Sequence, residues 1–410
     1  MIRTTALTLL LLSLFFSACS FPEAELASRI SYPGNTLELL DTLSAKSPEA
    51  LLSKAARAAE KSSPGIKLVL AAEVTSPSLE GTLLQASHVA ISPDGKYGFV
   101  SYMLKGEAYG GGIDLFDLAD PGKPILLQSE LFPNIDIAAT AYDANVLYFA
   151  GAQSGVGAVV FSMPFARGRL QIGEPTAIVP LRGFFATDIA ISGSRLFVTT
   201  GTQGGLYCLP KNDLSAIASK DELGLDNLRS VGASSGFVAA FDASLAGSSS
   251  RLILYPYSAF NNADASSGRD RVAIVTGATM PEAKSRIELL GSYAILAANE
   301  AGARVIDIAT GLEVAAYPVE VPTGILVENC VTNAVSTGLA GSKDVFFLAN
   351  GEAGLYVGSY SQAPSWKGSL LGRVSFGSGI SVNYVAGKNG MLFAATGLGG
   401  LKIIKLEELP

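Results

Sequence analysis

Histidine is almost missing from this chain: its 410 residues include one, His88, with three cysteines and one tryptophan, Trp366. A lone imidazole excludes the histidine pairs and His–Cys clusters of transition-metal sites, and no Cys-x-x-Cys occurs. No Asp-x-Asp-x-Asp-Gly loop offers calcium a site. Phosphate-cradling loops are also lacking, because the glycines of 201–205 and 397–400 link strand to strand with no helix amino terminus behind them. Charge is scarce, at 16% Asp, Glu, Lys and Arg, against about 25% in ordinary soluble domains. Disorder and coiled coil both need more polarity than this. A net charge of −7 argues against nucleic acid as a partner. No cofactor and no metal are expected.

What is present is apolar and glycine-rich, with 49% hydrophobic residues and 44 glycines. This composition suits an all-β chain of short strands and tight turns. At the amino terminus, Arg3 precedes an apolar stretch, Ala6 to Phe16, too short for a permanent membrane span. It ends in Phe16-Ser17-Ala18-Cys19, which resembles the lipobox of bacterial lipoproteins. The resemblance implies cleavage before Cys19, diacylation of its thiol and acylation of its new amino group. An ordinary signal peptide cut near Ala18 is the alternative. Each buried methylene of an acyl chain contributes about 0.8 kcal/mol, so two or three chains anchor stably. Removing residues 1–18 takes away Arg3 and moves the charge from −7 to −8. Ser20, in place of an aspartate, favours the outer membrane as destination in a Gram-negative cell envelope. Cys208 and Cys330 sit in strand-like runs of distant repeats and read as small buried hydrophobes.

Residues 19–64 read as a lipidated tether with one short helix near 48–61, where Ser47-Pro48-Glu49 supplies a cap, a first-turn proline and a first-turn acid. From 65 to 410 the pattern repeats: apolar run, turn, apolar run, glycine-bearing loop, apolar run. Asp188–Ile191, Leu196–Val198 and Leu206–Tyr207 around the loop 201–205 form the clearest copy. Seven units begin near 86, 135, 184, 228, 284, 329 and 380, the second and fourth being least regular. A period of roughly 45 residues is that of four-stranded propeller blades. The last unit ends after its third strand, while Ile66–Val74 stands alone before the first. Pairing the two would close a ring and remove both edges. The expected fold is an all-β, seven-bladed β-propeller closed by an N-terminal strand, with six or eight blades as alternatives.

Gly112-Ile113-Asp114-Leu115-Phe116-Asp117-Leu118-Ala119-Asp120-Pro121 resembles the LVIVD repeat of bacterial surface and periplasmic propellers, and so does Asp188–Tyr207. Ser92-Pro93-Asp94-Gly95-Lys96 is similar to turns of YVTN-type propellers. The resemblance implies blade geometry and no shared catalytic residue. Gly232-Ala233-Ser234-Ser235-Gly236 matches a nucleophile pattern, but His88 lies upstream of it and Ser234 reads as a turn residue.

Two groups of residues are left as candidates. His88 and Asp188 fall at one position of the innermost strand, and Arg286, Asn333 and Asn383 join them by looser alignment as candidates for the central channel. The loops between second and third strands carry Tyr102, Lys105, Glu107, Tyr109, Gln153, Gln203, Asn299, Glu300, Asn350 and Glu352, a candidate binding face around the channel mouth. The tyrosines would offer contact surface, although Asn and Gly there also suit positive φ. The reading that follows is a monomeric, non-enzymatic envelope lipoprotein, membrane-bound through its lipid anchor and serving as a platform for a protein or glycan partner. A channel-mouth hydrolase or lactonase and an envelope-assembly scaffold are the alternatives.

Overall fold

The computed structural model describes residues 21–40, 65–106, 108–172, 178–243, 249–279 and 284–409. Cys19, Glu107 and the helix expected near 48–61 lie outside them. Among the described residues, seven antiparallel sheets of four or more strands follow one another along the chain, with one two-stranded hairpin, Ser78–Leu79 and Thr82–Leu83, before the first of them. Their innermost strands are Gln85–Ile91, Ile135–Asp143, Asp188–Ser192, Asn227–Ala233, Ile287–Leu290, Ala334–Ala340 and Tyr384–Lys388, defining blades 1 to 7 of a seven-bladed β-propeller. Each strand starts within a few residues of the expected repeat start. The two irregular units have a structural cause. Blade 2 carries a side hairpin, Phe165 pairing Leu170, and blade 4 inserts short 3-10 turns at Tyr257–Asn261 and Ser266–Gly268.

Burial explains the strand sequences. Second strands such as Tyr293–Ala297 and Met391–Ala395 are buried along their whole length. With a neighbouring blade on each face, they are continuously apolar rather than alternating. Outermost strands alternate, and Arg271–Val275 turns Val272 and Ile274 to solvent. Apolar clusters fill the gaps between blades, and the largest joins blades 6, 7 and 1.

That cluster marks the closure. Ile66–Val74 pairs antiparallel with Leu401–Glu408, from Ile66 opposite Glu408 to Val74 opposite Leu401, with one register shift between Leu70 and Ala72. The solitary strand is thus the fourth strand of blade 7.

Residues 21–40 are not a free tether but a strap across the closure. A helix, Glu23–Ser28, buries Leu26. Ile30–Ser31 then pairs with Val74 and Glu73, Thr36–Leu37 pairs with Val69 and Leu68, and Leu40 bridges to Arg373 of blade 6. Ile30, Leu37 and Leu39 pack on the closing cluster, and the strap strands cover an edge that would otherwise present unpaired amides. Arg29 fastens the strap to blade 1: Nη1 donates to Asp114 Oδ1 at 3.1 Å and Ser129 Oγ at 2.9 Å, and Nε donates to Thr75 O at 2.9 Å.

Glycine is required where the last loop meets the closing strand. Gly400 has φ +74°, and a Cβ there would lie 2.0 Å from Val74 O, whereas Gly390 has φ +70° with nothing within 4 Å. Both positions are left-handed, so Gly390→Ala isolates the backbone penalty of about 1–2 kcal/mol. Gly400→Ala is expected to lose roughly twice as much or more, since the closing strand must also shift. Urea unfolding midpoints of the two variants check this. Equal losses would show that the closing strand tolerates displacement.

Candidate functional site

In each blade the loop from second to third strand and the connection to the next blade emerge on the same face, called upper here. The binding-face residues expected from the sequence are split by the structure. Tyr102 is fully buried, because it ends a second strand beneath the strap and donates its hydroxyl to Asp114 Oδ2 at 2.7 Å. Asn299 and Asn350 are also fully buried, and Gln153 is 8% exposed. These four are not contact surface. Asn299 has φ +54° and its carbonyl accepts from Thr332 N at 2.9 Å, while Asn350 Oδ1 accepts from Thr332 Oγ1 at 2.6 Å. The loops therefore join each blade to the next. Lys105 and Gln203 are exposed, and Tyr109, Glu300 and Glu352 half-buried. Glu352 accepts from Asn329 Nδ2 at 2.8 Å, and Glu300 accepts from Thr279.

Large apolar side chains, rather than tyrosines, distinguish the upper face. Leu83, Val156, Phe184, Leu223, Leu326 and Leu398 are between 40% and 67% exposed there. Val156 and Phe184 belong to loops tied by the hydrogen bond from Ala158 N to Gly183 O (3.2 Å), and Arg182 reaches Glu222, beside Leu223, at 3.5 Å. Sequence reasoning passed over these residues because scattered apolar loop residues carry no periodic signal. Their sharing one face depends on the ring, which puts the connections carrying 156, 184 and 223 on the same side.

Of the five channel candidates, His88 and Arg286 line one cavity of the channel and Asn333 and Asn383 another, while Asp188 is buried behind them, paired with Arg286. Asn333 and Asn383 work as staples: Asn333 Nδ2 donates to Val382 O and Asn383 Nδ2 to Ala86 O, each at 3.1 Å. Ser87 and Thr187 do the same towards Ile137 O and Leu228 O, at 3.1 and 2.8 Å. Two cavities remain. An upper one of about 370 Å³ is lined by Lys105, Lys284, Glu328, Glu352, Asn333 and Asn383. Burial, with Arg229 nearby, pushes Lys284 down to about 8, and burial raises Asp136 to about 6 although Gly110 N donates to it.

The lower cavity, about 440 Å³, holds His88, Thr140, Arg286, Glu288 and Tyr384 in its wall. Arg286 Nη1 donates to Asp188 Oδ1 at 2.9 Å, and Asp188 also accepts from Val231 N at 3.0 Å and Ile189 N at 2.9 Å. Glu288 accepts from both the amide and hydroxyl of Thr337, and burial raises its carboxyl. The His88 ring packs on Tyr384, centroids 4.0 Å apart. Among the described residues, no three His, Cys, Asp or Glu side chains are grouped to hold a metal ion. Ser234 is a turn residue, its Oγ accepting from Phe237 N at 3.1 Å, and Cys208 and Cys330 are buried and free.

Burial, with Arg286 and Lys284 adding to it, holds His88 well below the ordinary 6.5. The folded ring is neutral where the unfolded one is protonated, so this group costs the fold stability as pH falls below 6.5 and has no effect above it. Its ring resonances are expected to stay unchanged as the pH is taken down through 6.5 in the folded protein and to titrate normally in urea. A midpoint near 6.5 in the folded state would contradict this environment.

No protein-family model matches the chain, and no curated protein matches it. Solved structures do. "Structure of U3-55K" aligns at 9% identity over 81% of this chain and 97% of that one, with a TM-score of 0.58. "Crystal structure of RRP9 WD40 repeats" aligns at 9% identity over the same shares, with a TM-score of 0.59. "Crystal structure of WD40 beta propeller domain of Doa1" aligns at 13% identity over 81% and 96%, with a TM-score of 0.53. At such identities the likeness is one of fold.

Proposed function

We propose that the chain is a lipid-anchored envelope protein whose propeller is a non-catalytic platform for a protein partner bound on the upper face. The observation that carries this reading is the apolar upper face. Among the described residues, eight of the sixteen exposed large hydrophobics project from it: Leu83, Val156, Phe184, Leu223, Val321, Leu326, Val327 and Leu398. Exposed apolar side chains gathered on one face, with polar groups such as Lys105 and Glu328 among them, suit a protein interaction site. The likeness to WD40-repeat structures agrees with a scaffold, and the LVIVD-like repeats with a bacterial one.

Anchoring rests on Phe16-Ser17-Ala18-Cys19. The strap supports an orientation as well. Phe21 shares a groove with Leu127 and Leu170, toward the lower side of blades 1 and 2. A lipid anchor reached from that side would turn the upper face away from the bilayer.

The test places a photo-crosslinking residue at Phe184, and separately at Leu339 on the lower face, in cells. Crosslinks to a defined protein from position 184 and not from 339, lost in Leu223→Asp, are expected. Equal capture from both positions, or capture unaffected by Leu223→Asp, would overturn the platform. Cys19→Ala should release the protein from the membrane fraction. Retention there would refute the lipid anchor alone.

A further inference from the structure

The lower half of the channel has features that the platform does not use. Its cavity, about 440 Å³, is within the range of roughly 300–1,000 Å³ typical of small-molecule sites. The imidazole in its wall is 4% exposed. Thr140 N donates to His88 Nδ1 at 3.4 Å, with the Thr140 hydroxyl at the same distance, an arrangement that favours the tautomer with its proton on Nε2. That Nε2 is buried and has no hydrogen-bond partner. A buried unpaired donor costs about 1–3 kcal/mol, and native proteins rarely keep one without a use.

The remaining polar valence of the wall has a definite character. Asp188 is already supplied by Arg286, Val231 N and Ile189 N, whereas the amide and hydroxyl of Thr337 both go to Oε1 of Glu288. Arg286 stands over the Tyr384 ring, its Cζ 5.6 Å from the centroid, and is a quarter exposed. The unspent groups are therefore mostly donors, on His88, Tyr384 and Arg286, with the carboxylate of Glu288 facing them. An anionic ligand would lie beside Glu288 and Asp188. A cationic one would meet Arg286, with Lys388 also lining the cavity. A hydroxyl meets neither objection, since it accepts from one wall and donates to the other.

We propose that this cavity binds a small neutral polyhydroxylated ligand of monosaccharide size, with His88 Nε2, Tyr384 Oη and Arg286 donating to its hydroxyls and Glu288 accepting. Nε2 is closed to solvent in the free protein, so a side chain of the cavity wall must shift as the ligand enters. The site is on the opposite side of the channel from the platform face and stands independently of that reading.

Having one histidine makes the test direct. Full-length protein without a polyhistidine tag, labelled with 15N in histidine, is titrated with D-glucose, with myo-inositol and with sodium acetate, each to about 100 mM, far above a millimolar dissociation constant. The expected result is a saturating shift of the His88 Nε2 resonance with glucose or inositol and none with acetate. Tyr384→Phe keeps the ring packing, and should weaken that binding about fivefold by removing one hydrogen bond of about 1 kcal/mol. No shift with either polyol, or a response to acetate of equal size, would overturn the proposal. Unchanged affinity in a folded Tyr384→Phe protein would remove Tyr384 from the site and overturn the donor set.

Discussion

The ladder between Ile66–Val74 and Leu401–Glu408 is the interaction on which everything else depends. It joins segments more than 320 residues apart, and so the two ends of the ring must meet before either blade 1 or blade 7 has both of its neighbours. Once they meet, each second strand is covered on both faces and the third strand of blade 7 has its outer neighbour. The strap then covers the outer edge of the closing strand, and Arg29 carries that cover across to Asp114 and Ser129 in blade 1. Closure also sets the channel. The side-chain amides of Asn333 and Asn383 reach the backbone of the next blade, the latter at Ala86 across the seam, only in a ring of this circumference.

Part of the chain's small complement of charge is spent on this architecture. Arg29–Asp114, Arg269–Asp221, Arg251–Asp242 and Arg286–Asp188 each pair an arginine with an aspartate no more than 3% exposed. Such pairs are costly to break by removing one partner, although replacing both by apolar groups is often neutral. They hold fixed geometry rather than supplying reactive groups. The two halves of the molecule differ in what they expose: apolar side chains on the upper face, and a mixed polar wall of His88, Tyr384, Arg286 and Glu288 in the lower channel.

Much of the fold was legible in the sequence because a propeller writes the same local problem seven times. The glycine loops at 302, 354 and 400 recur since each places a left-handed residue against the carbonyl of an outer strand. The solitary Ile66–Val74 run and the truncated last unit pointed to closure for the same reason. The strap was not legible. Leu26, Ile30, Leu37 and Leu39 follow no helical or strand period, because the strap changes partner every few residues. Tyr102 was misplaced for a related reason: its burial depends on Arg29 arriving from a segment with no repeat. His88 and Asp188 were recognisable as channel residues by their place in the unit, whereas Glu288, Thr140 and Tyr384 were not singled out, since nothing in their local sequence separates them from other strand residues.

Hydrogen–deuterium exchange of the intact protein tests the central role of closure most directly. If the ring depends on the Ile66–Val74 ladder, amides of that strand and of Leu401–Glu408 exchange as slowly as those of the buried second strands, and all are released together at the same denaturant concentration. Rapid exchange in 66–74 while blades 2 to 6 remain protected would contradict the account.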